Sequence, residues 1–462
     1  MKPDLSIIPS AVQFRRTPDG IIAGRREVPA WMLLLPGEEE ILEMFDGHRN
    51  LDQATRQLAA REGVSHDEAL EKVTALYDRA RIHGLFDPPG NWMVEGSLLG
   101  FYYEVTHRCN LECSYCCAGA TKGKGDPGLS TAGVMHVLDT MARLGGCFVV
   151  IGGGEPLTRP DVFEILRHAS SLMPVSLVTN GTLIDDETAE ALKHIPGLSV
   201  RLSLDGATSS VNDQYRHQGS FHRASAGLGV LFRHFSRENL SLSVTITSGN
   251  VQHMGELYDY ALNVGVGSLV VTPLTMAGRA SDIWGRAAPD PGELYRGFIL
   301  LRERERSDGG MVKVSGNMIC AMEKSLKQSR PVVRCPVGQR PGVDPRGWLY
   351  PCSLLMKEPF RLGNIAPGGD PDILLKARLR AVASSALSRR DRTEECRECF
   401  WKGYCSGGCM ARAWQQGGSL NLPDPDCSLI CRILDRLAVG DENQTREKYA
   451  HEHTESAAGD GG

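Results

Sequence analysis

The sequence predicts an α/β protein: a partial (β/α)6 barrel, preceded by a winged-helix-like domain and followed by a cysteine-rich domain. Three observations carry this. Strand-length apolar runs at 101–105, 148–151, 175–179, 199–203, 241–247 and 268–273 alternate with amphipathic stretches across residues 98–310. Such a βα repeat builds a parallel sheet with helices outside it, and six strands fall short of the eight that close a barrel. Residues 1–92 read instead as a hairpin and three short helices, and residues 315–435 combine most of the cysteines with little periodicity. At 462 residues the chain is too long for one compact core, so separate domains are expected.

The first unit opens on "AVQFRRTPDGIIAG", which alternates around a Thr-Pro-Asp-Gly turn. Helical patterns follow in "GEEEILEMFDG", "LDQATRQLAAREG" and "SHDEALEKVTALYDRARIHGLF". Asn50 and Ser65 stand where N-caps belong, and Gly47 and Gly84 where helices stop. "DPPGNW" (Asp87–Trp92) separates the unit from the barrel. A winged-helix shape raises the question of DNA, but residues 1–92 carry eleven Lys/Arg against fifteen Asp/Glu and the third helix has no basic stripe. DNA binding is disfavoured.

Bulk properties narrow the class further. Net charge is −5 and pI is about 6.2, which asks for neither nucleic acid nor an anionic membrane. No apolar run approaches the roughly 18 residues of a membrane helix, and "MKPDLSIIPS" lacks a signal-peptide pattern. The expected location is the cytoplasm. Fourteen cysteines in that reducing compartment read as metal or redox ligands rather than disulfides.

Cys109, Cys113 and Cys116 form "CNLECSYC", a CxxxCxxC loop directly after the first barrel strand. In βα folds, active sites sit on the loops at the C-terminal ends of strands. Three clustered thiolates suit an iron–sulfur cluster with one open iron, or a zinc loop completed by a remote ligand. With Tyr115 before its last cysteine, the motif resembles the signature of the radical S-adenosylmethionine (SAM) enzymes. That resemblance implies a 4Fe–4S cluster on the three cysteines. Its open iron would chelate the amino and carboxylate groups of SAM, and an electron from it would cleave SAM to a 5′-deoxyadenosyl radical that abstracts hydrogen. "VVIGGGEPL" after the second strand is similar to the family's Gly-Gly-Glu segment. Gly153, Gly154 and Glu155 are therefore expected to hold the SAM amino group; a plain tight turn is the alternative. "LVTNG" and "RLSLDGA" make Asn180, Ser203 and Asp205 candidates near the SAM ribose and carboxylate, although Asn-Gly and Asp-Gly are also ordinary turn formers. Arg216 is expected to pair with the SAM carboxylate or to sit solvated at the surface. The residues that act on the substrate are not readable.

The later cysteines follow CX11GX4C, then CX2CX5CX3C, then a final C. This is similar to the SPASM extension of radical SAM enzymes that modify peptides and proteins. The resemblance implies two auxiliary iron–sulfur clusters: one on Cys335, Cys352, Cys409 and, upstream, Cys320; the other on Cys396, Cys399, Cys405 and Cys427. Zinc-ribbon-like sites are the alternative that the CxxC pairs allow. Cys147 and Cys431 read as structural residues, and Cys117 is unassigned. The tail, residues 436–462, is expected to be disordered.

The order of elements in residues 1–92 is similar to the leader-recognition domain (PqqD-like) of ribosomally made peptide natural products. The resemblance implies capture of a leader peptide by strand addition at the sheet edge beside the third helix, which raises the effective concentration of the core peptide. A structural cap or dimerisation module is the alternative. The whole reads as a peptide maturase forming an intrapeptide crosslink, thioether first, with a flavodoxin- or ferredoxin-type reductant as second partner. Mycofactocin-type decarboxylation and crosslinking, peptide epimerisation and anaerobic sulfatase maturation are the rival reactions. A non-catalytic iron–sulfur carrier or sensor and a zinc-binding interaction protein are the rival classes.

Overall fold

The computed structural model describes residues 12–18, 20–26, 30–45, 49–86, 98–316, 326, 335–405 and 407–439. Its N-terminal unit is an antiparallel sheet of three strands, β1 (Val12–Thr17), β2 (Gly20–Arg25) and β3 (Ala30–Leu34), backed by helices Glu38–Glu43, Leu51–Glu62 and His66–Ile82. The third strand was not expected, because all five of its residues are buried and "AWMLL" shows no alternation. Asn50 forms a capping box with Gln53, and the Ser65 side chain accepts from Glu68 N. Gly84 has φ +72°, the left-handed residue past the last helix, whereas Gly47 lies outside the described residues. The unit has its own apolar core around Met32, Leu58, Val73 and Leu76.

The barrel sheet contains all six expected strands: β4 (Phe101–Thr106), β7 (Val149–Gly153), β8 (Val175–Thr179), β9 (Leu198–Ser203), β10 (Leu240–Ile246) and β11 (Ser268–Pro273). A small parallel pair, β5 (Arg108–Cys109) with β6 (Thr121–Lys122), braces the loop after β4. The sheet then exceeds the expected span. β12 (Lys313–Ser315) pairs in parallel with β11. On the other side β13 (Gly342–Val343) pairs in parallel with β4, and β14 (Trp348–Tyr350) and β15 (Gly363–Asn364) follow antiparallel. The order is β12-β11-β10-β9-β8-β7-β4-β13-β14-β15, a partial barrel-like sheet that does not close among the described residues. Its main core continues from the sheet into residues 401–439.

Three expectations change, and a fourth is not reached. The segment read as aperiodic holds a 21-residue helix, Asp372–Arg392, whose buried face is Leu375, Leu379, Ala383, Ala386 and Arg389. Alanine and arginine on the inward face erase the apolar stripe that marks a helix in sequence. The tail expected to be disordered from residue 436 begins as part of a helix over 427–439, with Leu437, Ala438 and Val439 buried in the main core. Cys147 is exposed rather than core, its thiol facing the Leu99 carbonyl. Cys320 lies outside the described residues.

Candidate active site

The C-terminal ends of the parallel strands enclose a cavity of about 270 Å³. Cys109, Cys113 and Cys116 line it, with Tyr115, Gly153, Gly154, Asn180, Ser203 and Arg216. Nine residues singled out in sequence thus meet on one surface, drawn from the loops after β4, β7, β8 and β9. Thr245, Thr272 and Leu274 complete the wall from β10 and β11, and Leu354 reaches in from the C-terminal unit.

The cysteine loop is held mainly through its backbone. Gly154 N donates to Thr106 O (2.7 Å) and Glu155 N to Arg108 O (2.8 Å). A Cβ on Gly154 would fall 2.0 Å from Arg108 O, and one on Gly153, at φ +114°, 2.5 Å from Thr106 O. The glycines are therefore required by the cysteine loop pressed against them, while their other side faces the cavity. Ser114 N donates to Tyr215 O (2.8 Å) on the opposite wall. Arg279, which follows β11, donates from Nε and Nη2 to Cys113 O (2.9 and 2.8 Å) and from Nη1 to Ala120 O (2.7 Å). Its own N–H donates to Cys116 O (3.0 Å). Arg279 was missed in sequence because its targets are carbonyls, which carry no side-chain signature.

Two of the expected SAM-site residues, Glu155 and Asp205, also have bonding partners within the protein. Glu155 is fully buried and does not line the cavity. Its carboxylate accepts from Asn180 N (2.7 Å), Thr179 Oγ1 (2.8 Å) and Leu157 N (3.1 Å), so it fastens the end of β8 to the glycine segment. Burial pushes its carboxyl up to about 7. Asp205 is also buried off the cavity. It takes the Tyr115 hydroxyl and a two-point pair from Arg216, Nε at 2.8 Å and Nη2 at 3.0 Å. Arg216 is thus neither solvated nor unengaged: it lines the cavity while already bound to Asp205.

Asn180 reaches one of the three cysteines. Its Nδ2 donates to Asn110 Oδ1 (2.8 Å) and approaches Cys109 Sγ (3.9 Å), which also accepts from Leu111 N (3.4 Å). Donors of this kind tune a cluster wherever the sulfur they reach is one of its ligands. Burial pushes the Cys109 thiol up to about 11 and Cys113 to about 12. Thiols this reluctant to ionise alone lose their proton to a bound cation. Among the described residues, no three His, Cys, Asp or Glu side chains converge on a single-ion site. A cluster of several irons takes one thiolate per iron, so sulfurs spread around one cavity suit it.

Comparison with known proteins gives the same answer. The Radical SAM superfamily matches residues 103–261. Mycofactocin maturase MftC of Mycobacterium tuberculosis is 32% identical over 338 residues, 70% of this chain and 81% of the relative. This chain belongs to the radical SAM superfamily. The AdoMet-dependent heme synthase of Methanosarcina barkeri is 26% identical over 347 residues, 70% of this chain and 95% of that one. Among solved structures, anSMEcpe with bound AdoMet and Cp18Cys peptide superposes at TM-score 0.61 (18% identity, 76% of this chain, 99% of that one). SuiB of Streptococcus suis bound to S-adenosylmethionine gives 0.56 (16% identity, 91% and 99%). Both share the fold. The chain is a radical SAM enzyme, and the family implies SAM and a 4Fe–4S cluster as its cofactors.

Away from this cavity the later cysteines fall into two groups. Cys335, Cys352 and Cys409 adjoin one apolar cluster with Val337, Leu355 and Met410. Burial raises all three thiols, Cys409 to about 12. Cys396, Cys399 and Cys427 form the other, where Cys431 joins them. Cys405 is buried at the end of helix Lys402–Cys405.

Proposed function

We propose that this radical SAM enzyme matures a ribosomally synthesised precursor peptide by forming an intrapeptide crosslink. The observation that carries the reading is the convergence of Cys109, Cys113 and Cys116 with Gly153 and Gly154 on one enclosed cavity. The three cysteines would hold the 4Fe–4S cluster, and Gly153, Gly154, Asn180, Ser203 and Arg216 would contact SAM. When bound, the cluster and SAM supply a carbon radical able to abstract hydrogen from an unactivated position. The protein's part is to orient both and to exclude water. Leu111, Val178 and Leu274 give the cavity dry walls, and Arg279 fixes the loop that carries the ligands.

The peptide reading rests on further features. The anSMEcpe and SuiB structures that share this fold include complexes with the Cp18Cys peptide and the precursor peptide SuiA. A second cavity of about 210 Å³ adjoins the first through Tyr102, Cys117, Ala118 and Leu354 and carries Glu104, His107, Asp344 and Lys357. It gives a core peptide a polar approach to the radical site. Cys335, Cys352 and Cys409, with Cys320 as their fourth member, and the group at Cys396, Cys399, Cys405 and Cys427 would hold the auxiliary clusters that accept the substrate electron, in a SPASM-type domain. In the PqqD-like N-terminal unit, β3 is an edge strand, the place for an added leader strand. No described helix is long and apolar enough to cross a membrane, in keeping with a cytoplasmic enzyme served by a flavodoxin or ferredoxin.

Thioether formation is the reaction first in line. Mycofactocin-type decarboxylation and crosslinking is the second, favoured by the identity to MftC. Anaerobic co-expression with the small open reading frame beside the gene, followed by mass spectrometry, separates them. Loss of two hydrogens with sulfur in the crosslinked fragment supports the thioether, and loss of carboxylate moves the reading to the second. Replacing Cys109, Cys113 and Cys116 together by Ala must end 5′-deoxyadenosine formation; if it persists, the site assignment is wrong.

A further inference from the structure

Val178, Ser203 and Thr245 line the cysteine-bearing cavity. Side chains two apart on a strand share a face, so Ser176, Ser199, Arg201, Ser241 and Ser243 look into the same barrel interior. All five are only part-buried, whereas the alternate residues under the helices, such as Leu177, Val200, Leu202 and Leu242, are fully buried. A closed (β/α)8 barrel fills its centre with layers of branched aliphatic side chains. Here the centre is polar and open.

Arg201 is the cation among these hydroxyls. Its register partners are Val178 on β8 and Ser241 on β10. It starts one inward-facing step, about 7 Å, beneath Ser203. Its Nε is buried without a hydrogen-bond partner. Burial works against its charge, and among the described residues no carboxylate offsets this; the one group whose charge supports it is Tyr102, which lines the cavity. The acids of this end of the barrel are engaged elsewhere: Glu104 with His107 (2.7 Å), Glu155 with Asn180 N (2.7 Å) and Asp205 with Arg216 (2.8 Å). A guanidinium left unpaired in such a place is costly. The group that matches its fork is a carboxylate, taken through two parallel N–H donations.

We propose that Arg201 receives a carboxylate of the core peptide in the barrel interior, beneath the SAM cavity. This rests on the reading that the substrate is a peptide. The anions that an unmodified peptide carries at neutral pH are carboxylates, from Asp, Glu or its C-terminus. Holding one there fixes how deep the chain sits, and so which carbon meets the radical.

The test uses the full-length enzyme with its clusters reconstituted and SAM present, as wild type, R201M and R201K. The probes are N-acetylglycine, a terminal carboxylate; the α-amide of N-acetylaspartate, a side-chain carboxylate; and acetamide, a neutral control. Chemical unfolding midpoints are read with and without each. A carboxylate is expected to raise the wild-type midpoint while acetamide does nothing, and R201M is expected to respond to none of them. The carboxylate with the larger effect identifies the source. R201K keeps the charge and loses the fork; its response should be smaller than the wild type's, and this comparison decides if R201M fails to fold. Without probe, R201M should unfold no earlier than wild type, because it removes an unpaired cation, whereas loss of an arginine that serves only the fold gives an earlier midpoint. Equal responses in wild type and variants, or no response in wild type, overturn the proposal. With the precursor peptide from the neighbouring open reading frame, R201M should raise KM about tenfold or more. A loss of SAM affinity in place of that rise assigns the arginine to SAM and overturns the proposal. A wild type that binds the probes but leaves the peptide unmodified defeats the peptide reading rather than the carboxylate site.

Discussion

At the residue scale, the site depends on side chains that touch no reactant. Arg279 spans the cysteine loop with three donations to the Cys113 and Ala120 carbonyls, on either side of Cys116. Replacing it with Ala leaves Cys113 O and Ala120 O without these donors, at a cost on the order of 2–3 kcal/mol to loop order. R279A is expected to fold, to bind the SAM-site iron less tightly, and to lose SAM cleavage in proportion. R279K recovers little, because a single ammonium cannot reproduce the fork that bridges the two carbonyls. Iron retention during dialysis against a chelator measures this directly. Glu155 gives a pH signature. Its folded value is raised, to about 7 from an ordinary 4.5, so the folded state favours the neutral acid. The stability it lends is complete below about 4.5 and is lost as pH rises through about 7. E155Q cannot ionise, so the stability difference between wild type and E155Q should move against the wild type between those limits. Chemical unfolding at pH 5 and pH 8 checks it; a constant difference would show that Glu155 does not titrate in this window.

At the element scale, what sequence reveals follows from what each element is asked to do. The six barrel strands were legible because each is an apolar run, and four of them end in a motif. β12 and β13, three and two residues long, are too short for periodicity to register. Helix Asp372–Arg392 was hidden by the small and charged residues it buries. The site was legible in its ligands but not in its fastenings. Cysteines and glycines announce themselves, whereas the bonds by which Glu155 and Asp205 brace neighbouring strands leave no mark in sequence. The Gly153–Gly154 turn shows why: its close approach is to Thr106 and Arg108. G154A places a methyl carbon inside the Arg108 carbonyl, so β7 and the cysteine loop must separate, at about 1–3 kcal/mol. The variant is expected to keep its helical circular dichroism while losing the SAM-site iron. An unchanged iron content would mean that the loop tolerates the displacement.

At the scale of the whole molecule, the N-terminal unit is not a loosely tethered recognition module. Ile22, Trp31 and Leu33 belong to the main core, and Gly24 lies so near the Phe400 ring that a Cβ there would fall 2.6 Å from it. Arg15 and Arg26 reach the C-terminal unit at Asp435 and Glu398. All three of its strands thus contribute to the docking, with Arg15 of β1 near Cys399 and Cys431, and among the described residues β3 is an edge of the three-stranded sheet. Cutting away residues 1–92 would strip this packing as well as any leader site, so point substitutions at the docking contact are the informative change. Arg15 and Asp435 form a two-point pair, worth about 1 kcal/mol at this partial exposure. R15A and D435N should each destabilise the protein, and the double variant by no more than either alone. The electrostatic consequence is separate and has a sign. Reduction adds an electron to the proposed cluster, and the Arg15 cation beside Cys399 and Cys431 stabilises the added charge. Removing it should lower the reduction potential of that cluster and leave the SAM-site cluster unchanged. Potentiometric titration followed by EPR resolves the two, and equal potentials in wild type and R15A would show that the N-terminal sheet covers the cysteine group without tuning it.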